Sequence, residues 1–327
     1  MIKTKFLIAC SLAITFIATL SLPNAALAQT YPTKPIRFVV PYSPGGLPDT
    51  VARVVSQRLQ ERFGQAVVVD NKPGANGAVA AASLATAPAD GYTFLITDGS
   101  MLTINPLMNK KLSYNPIKDF APVSLVASSP LFLAVNSAVK AHTFDEFIAL
   151  AKATPGALNY GSSGIGSTHH LTTEAMNAGL GIAMTHVPYR GSANSVPALI
   201  GGQVDMVFSA YPSMAGFVKS GQVRLLATNS AKRSTLAPDV PAISERLPGF
   251  DFAVIVAVLA PTGTPPAIVQ RISTEIAKIA KRQDVIDHMQ VAGIEMVGST
   301  PVQLAAALDA ERSRMANAAK QANLQPE

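Results

Sequence analysis

The stretch IRFVVPYSPGGLPDTVARVVSQRLQERFG, residues 36–64, decides how this chain folds. Its β-branched opening, residues 36–40, reads as a strand. Val51, Val54, Val55, Leu59 and Phe63 then recur at helical spacing with arginines and glutamines between them, and Gly64 ends the helix. Between strand and helix lies a turn, residues 41–49, built of proline and glycine. Glycines let the backbone approach a ligand, and the first turn of a helix leaves N–H donors unpaired at the positive end of its dipole. Such a turn suits an anion. A second turn of this kind, YGSSGIGSTHH at residues 160–170, precedes the helix-like LTTEAMNA. Two anion-seeking turns about a hundred residues apart imply two lobes gripping one small anionic molecule.

The same grammar runs outward from these turns. Residues 66–70, 92–96, 131–135, 158–160, 184–187, 206–209, 223–228 and 254–259 read as strands, with helices between most of them. Thr143 and Glu146 form a capping box, as do Thr300 and Gln303, and Thr264 is placed to cap the helix after Pro265-Pro266. The expected fold is α/β with a mostly parallel sheet in each of two lobes. One domain comprises residues 29–127 plus 251–327, whose three closing helices cover its sheet, and the other residues 128–250. The chain then crosses twice between lobes, near Ala127 and Phe250, which makes a natural hinge.

The first residues read as a secretory signal peptide, residues 1–28. Lys3 and Lys5 precede an apolar run over 6–22, and Ala26-Leu27-Ala28 offers a cleavage site. Pro23 and Asn24 break the run and favour cleavage over anchoring, so the mature protein is expected in the periplasm. Cys10, the one cysteine among 327 residues, lies in this leader within a box that imitates a lipoprotein signal. Processing at residue 28 leaves no disulfide, thiol nucleophile or cysteine metal site. The net charge of +6 falls by two to +4 without Lys3 and Lys5, a mild bias towards anionic ligands. No dense basic cluster with interleaved aromatics argues for nucleic acid.

Catalytic constellations are missing. Gly-x-Ser-x-Gly and His-Glu-x-x-His do not occur, the five histidines lack ligand spacing, and Gly164-Ile-Gly166 lacks the third glycine of a dinucleotide fingerprint. No enzyme activity, cofactor or metal is expected. Asp49 reads as a helix N-cap or as a site residue, and Tyr42 as pocket wall or packing. Ser162, Ser163, Ser167 and Thr168 offer hydroxyls at a helix start. His169 and His170 point in different directions, so that one faces the site while the other caps or packs. Asp98-Gly-Ser100, Tyr189-Arg-Gly191 and Asp205 lie at strand ends, and Arg190 is the cation to test first.

PYSPGGLPDTVAR, VVVDNKPGANGAVAA, YGSSGIGSTHHLTTE, HVPYRGSANSVPALIGGQVDMVF and APTGTPPAIVQRI, in this order, resemble the substrate-binding proteins of tripartite tricarboxylate transporters. These are the Bug family, which includes the TctC proteins. The resemblance spans nearly all of the mature chain and implies a monomeric periplasmic receptor of Venus-flytrap form. It implies delivery of a small carboxylate to a membrane permease, without chemistry or cofactor; a membrane sensor kinase is the alternative partner. It points to Tyr42, Ser43, Gly45, Gly46 and Asp49, then Ser162, Ser163, Gly166, Ser167 and His169, with Asp205 as a looser match. Pro197-Ala198 departs from the Thr-Asp pair common in relatives and weakens an amino-acid ligand.

Overall fold

The computed structural model describes residues 31–42, 44–74, 77–189 and 192–325. The leader, Cys10, Ser43, Arg190 and Gly191 lie outside the described residues, as do any expectations placed on them. Strand β1 (Ile36–Val40) pairs in parallel with β2 (Val67–Asn71) and with β3 (Thr93–Asp98). The helix Leu47–Phe63 follows β1 and buries Val51, Val55 and Leu59, one face at i, i+4 spacing. Each such side chain withdrawn from water stabilises the fold by about 1.5–3 kcal/mol. Gly64 stops the helix at φ 66°, its amide bonded to Gln60 O at 2.9 Å.

The remaining strands correct the expectation of mostly parallel sheets. β4 (Phe120–Ser129) and β10 (Val254–Pro261) run antiparallel, giving the first sheet the order β11-β4-β10-β3-β1-β2 with β11 at Glu295–Met296. The second sheet contains β5 (Leu131–Asn136), β6 (Asn159–Ser162), β7 (Thr185–Pro188), β8 (Met206–Ala210) and β9 (Val223–Thr228), in the order β7-β6-β8-β5-β9. There β6 is parallel to β7 and β8, whereas β5 is antiparallel to β8 and β9. Both sheets are therefore mixed. The strands that run against the rest are β10 and β11 in the first sheet and β5 in the second. β5 follows β4 through Pro130 alone and β10 carries the chain back, so each enters its sheet without the helical crossover that parallel pairing requires.

Beyond the β4–β10 ladder, Asn229 ties the two crossing segments together. Asn229, fully buried, donates its amide to Leu131 O at 2.9 Å and accepts from Leu131 N at its Oδ1 at 2.8 Å. Its Nδ2 donates to Phe252 O at 2.7 Å, and its carbonyl accepts from Phe252 N at 2.8 Å. Val39, Leu84, Leu95 and Leu259 form the core beside the first sheet, and Leu133, Phe147, Tyr160 and Phe208 that of the second. The C-terminal helix, Pro301–Gln321, enters both: Leu304 packs in the first core, Met315, Ala318 and Ala319 in the second. The closing helices thus do not cover the first sheet alone. Thr264 also departs from expectation, because its hydroxyl donates back to Pro261 O at 2.8 Å and leaves the next helix without a side-chain cap.

Candidate functional site

Both glycine turns end in helix starts that face one cleft of about 570 Å³. Gly45, Gly46 and Leu47 line it from the first turn, Thr168 and His169 from the second. An adjoining cavity of about 370 Å³ shares Thr168 and His169 and runs between Ser100, Asn105 and Met108 on one side and Ser163 and Gly166 on the other.

Asp49 is not the N-cap of its helix. That position belongs to Gly46, which has no side chain to cap with, while Pro48 inside the first turn has no N–H. Asp49 sits three residues further on than Gly46, about 1% exposed, and ties the turn from beneath. Its Oδ2 accepts from Gly45 N at 2.8 Å and Arg53 Nε at 2.9 Å, and its Oδ1 from Asn71 Nδ2 at 2.9 Å. Burial alone would raise this carboxyl, but the bonds from Arg53, Gly45 and Asn71 outweigh it and hold it below the ordinary range. Asn71 also donates to Tyr42 O at 3.0 Å. The Tyr42 hydroxyl donates to Asp98 Oδ1 at 2.8 Å, with Ser100 bonded to the same oxygen. Burial, and then the Asp98 charge, push the phenol up and keep it protonated. Tyr42 is both pocket wall and packed brace.

In the second turn most polar groups are likewise committed inward. Ser162 Oγ lies 2.6 Å from His186 Nε2 and accepts from Gly164 N at 3.0 Å. Gly166, at φ 73° with Met108 against it, donates its amide to His170 Nδ1 at 3.1 Å. Ser163 Oγ pairs with His169 Nδ1 at 3.1 Å. Ser167 is the N-cap of the helix Thr168–Leu180, accepting from His170 N and donating to Gly164 O at 2.7 Å. Beneath the turn, His186 stacks between Tyr160 and His170, with ring centroids 4.8 and 4.0 Å away. Burial lowers all three histidines, His169 and His186 to about 4, so the rings are neutral and their acceptor nitrogens remain free to hold the loop.

Gly45, Gly164 and Gly166 amides are therefore spent on the protein. The donors left to a guest are those of the first helical turns, Gly46 and Leu47 on one side and Thr168 and His169 on the other; among the described residues none of the four is bonded to an acceptor. Two helix starts aimed into one cleft can hold and orient an anion. Asp205 is not part of this group. Its carboxylate accepts from Asn159 N at 2.7 Å at the N-terminal ends of β6 and β8, whereas the cleft lies at their C-terminal ends. Ala198 packs with Phe132 and Val207 while Pro197 is exposed, and neither of the unusual pair lines the cleft. Sequence reasoning missed Asn71, His186 and Asn229, whose partners lie far along the chain. Asn71 alone carried a signal, as the polar end of a strand.

Comparison with known proteins shows which family the chain belongs to. The chain is 36% identical over 290 residues to protein BugT of Bordetella pertussis, covering 88% of this chain and 89% of that one. An R. palustris protein solved with adipate superposes with a TM-score of 0.76 at 34% identity, over 91% of this chain and 100% of that chain. MatC from Rhodopseudomonas palustris, solved with bound malate, gives a TM-score of 0.70 at 29% identity over 88% and 99%. A family model described as the tripartite tricarboxylate transporter family receptor matches residues 51–324, which take in strands of both sheets and the whole second turn. By fold, by paired helix starts and by this match, the chain belongs to the tripartite tricarboxylate transporter receptor family.

Proposed function

We propose that this protein is a periplasmic receptor that captures a small organic carboxylate between its lobes and hands it to a membrane permease of the tripartite tricarboxylate type. One observation carries the reading: the helices Leu47–Phe63 and Thr168–Leu180 both begin at the same cleft, one from each lobe. A carboxylate between them gains donors from both lobes only when the cleft is shut, so ligand favours closure. Segments 29–127 plus 251–327 and 128–250 would move against each other about the Asn229 clamp. The solved relatives with adipate and malate support the ligand class.

Thr168→Pro tests the reading directly. Proline is tolerated at the first helical position, and Ser167 before it is already extended at φ −68° and ψ 158°. The change removes the amide donor and the hydroxyl of Thr168 without breaking the helix, and Thr168→Val, which removes the hydroxyl alone, separates the two. Losing a hydrogen bond to a charged ligand should cost about 1.5–3 kcal/mol, roughly ten- to a hundredfold in affinity by titration calorimetry. Unchanged carboxylate affinity in a folded variant would remove this helix start from the site.

A further inference from the structure

The cleft has one end built for a charge and one built of carbon. Away from the helix starts it is walled by Leu131, Pro212, Val254, Ala292 and Ile294, contributed by both lobes. This wall is fixed in place. Ser129 Oγ donates to Gly293 O at 3.0 Å, and a Cβ on Gly293 would come within 2.6 Å of Pro212, so the turn at 292–294 lies hard against Pro212.

The hydroxyls among these walls have no proton to give. Ser213 Oγ donates to Ala210 O at 2.7 Å, so the 3.1 Å contact between Ser209 and Ser213 must use the Ser209 proton. Ser129 is committed to Gly293, Thr50 to Gly46 O at 3.1 Å, and Tyr42 to Asp98. Thr168 alone among the described lining hydroxyls keeps a free proton, and it sits at a helix start. No lysine or arginine occurs among the described residues lining either cavity; the ionisable carboxyl there is Asp98. A second carboxylate on the ligand would meet lone pairs, hydrocarbon and the buried Asp98 carboxyl, whose Oδ1 already accepts from Tyr42 and Ser100.

We infer that the preferred ligand is a monocarboxylic acid with an apolar body, aryl or medium-chain aliphatic, its carboxylate at the helix starts and its tail on the wall of Leu131, Pro212, Val254, Ala292 and Ile294. This rests on the receptor reading above and names its ligand class.

Hexanoate and adipate form the matched pair, with equal chain length and a methyl replaced by a carboxylate. Titration of the full chain should give hexanoate at least about tenfold tighter than adipate, malate or citrate. Along acetate, butyrate and hexanoate, affinity should rise about fourfold per methylene, the equivalent of burying each on the wall. Benzoate should bind with the aliphatic monoacids. Ala292→Arg, at an exposed position, puts a cation on the wall and should invert the hexanoate-to-adipate preference. A flat series, tighter binding of adipate, malate or citrate to the native chain, or an unchanged preference in Ala292→Arg overturns the inference while leaving a carboxylate receptor. Failure of every acid to bind overturns both.

Discussion

Replacing Glu311 by glutamine should make this protein more stable at neutral pH. Glu311 lies on the C-terminal helix between the segments that enter the two cores, about 4% exposed. Its carboxyl presses on Gly99, where any Cβ would run into it, and its Oε2 has no hydrogen-bond partner among the described residues. Burial pushes this carboxyl up to about 8; Asp98 and Asp251 reinforce the shift, while Arg314 and Thr103 oppose it. In the unfolded chain the group returns to an ordinary value near 4.5. The folded state therefore retains a proton that the unfolded state has lost over that whole interval. The sign follows: the contribution of Glu311 to stability is highest below pH 4.5 and declines by about 1.4 kcal/mol per pH unit up to pH 8. At pH 7 the loss amounts to about 3 kcal/mol. Glu311→Gln keeps the shape, cannot ionise and should recover about that much. Urea denaturation of both proteins at a series of pH values reads it out, with curves that converge near pH 4 and separate steadily above it. A variant equal to or less stable than the native chain at pH 7 refutes the reasoning, because it would show Glu311 ionised and well paired.

The histidines give a dependence of opposite slope. With His169 and His186 at about 4 when folded and near 6.5 when unfolded, their stabilisation is complete above pH 6.5 and is lost as pH falls towards 4. Acidification from pH 7 to 5 should cost about 1–2 kcal/mol per ring after allowance for partial solvent access, and His186→Gln should remove one share of it in urea titrations. Asp49→Ala strips a buried carboxylate from Gly45, Arg53 and Asn71; it should lower stability by about 2–4 kcal/mol and weaken carboxylate binding, measured by denaturation and calorimetry. A loss under about 0.5 kcal/mol would show that the first turn holds its shape unaided.

The sequence by itself determined the local features of this protein. Strand β1, the helix Leu47–Phe63 with its Gly64 stop, the capping box at Thr300 and Gln303, and the two glycine turns are all written in spacings of a few residues. Periodicity and turn chemistry act over that range, so they were legible without a fold. Strand direction was not, because β5 and β10 acquire their orientation from where the chain enters each sheet. Within the site the turns were visible but the division of labour was not. Asp49 reads as a cap until Gly45, Arg53 and Asn71 are seen around it, and the serine hydroxyls read as ligand donors until His186, His169 and Gly164 take them. Tertiary structure alone decided which donors remain free, since a hydrogen bond is spent by whichever partner packing brings within reach. Asn229 bridging Leu131 and Phe252 shows the same dependence: its role comes from two segments a hundred or more residues apart, brought together only by folding.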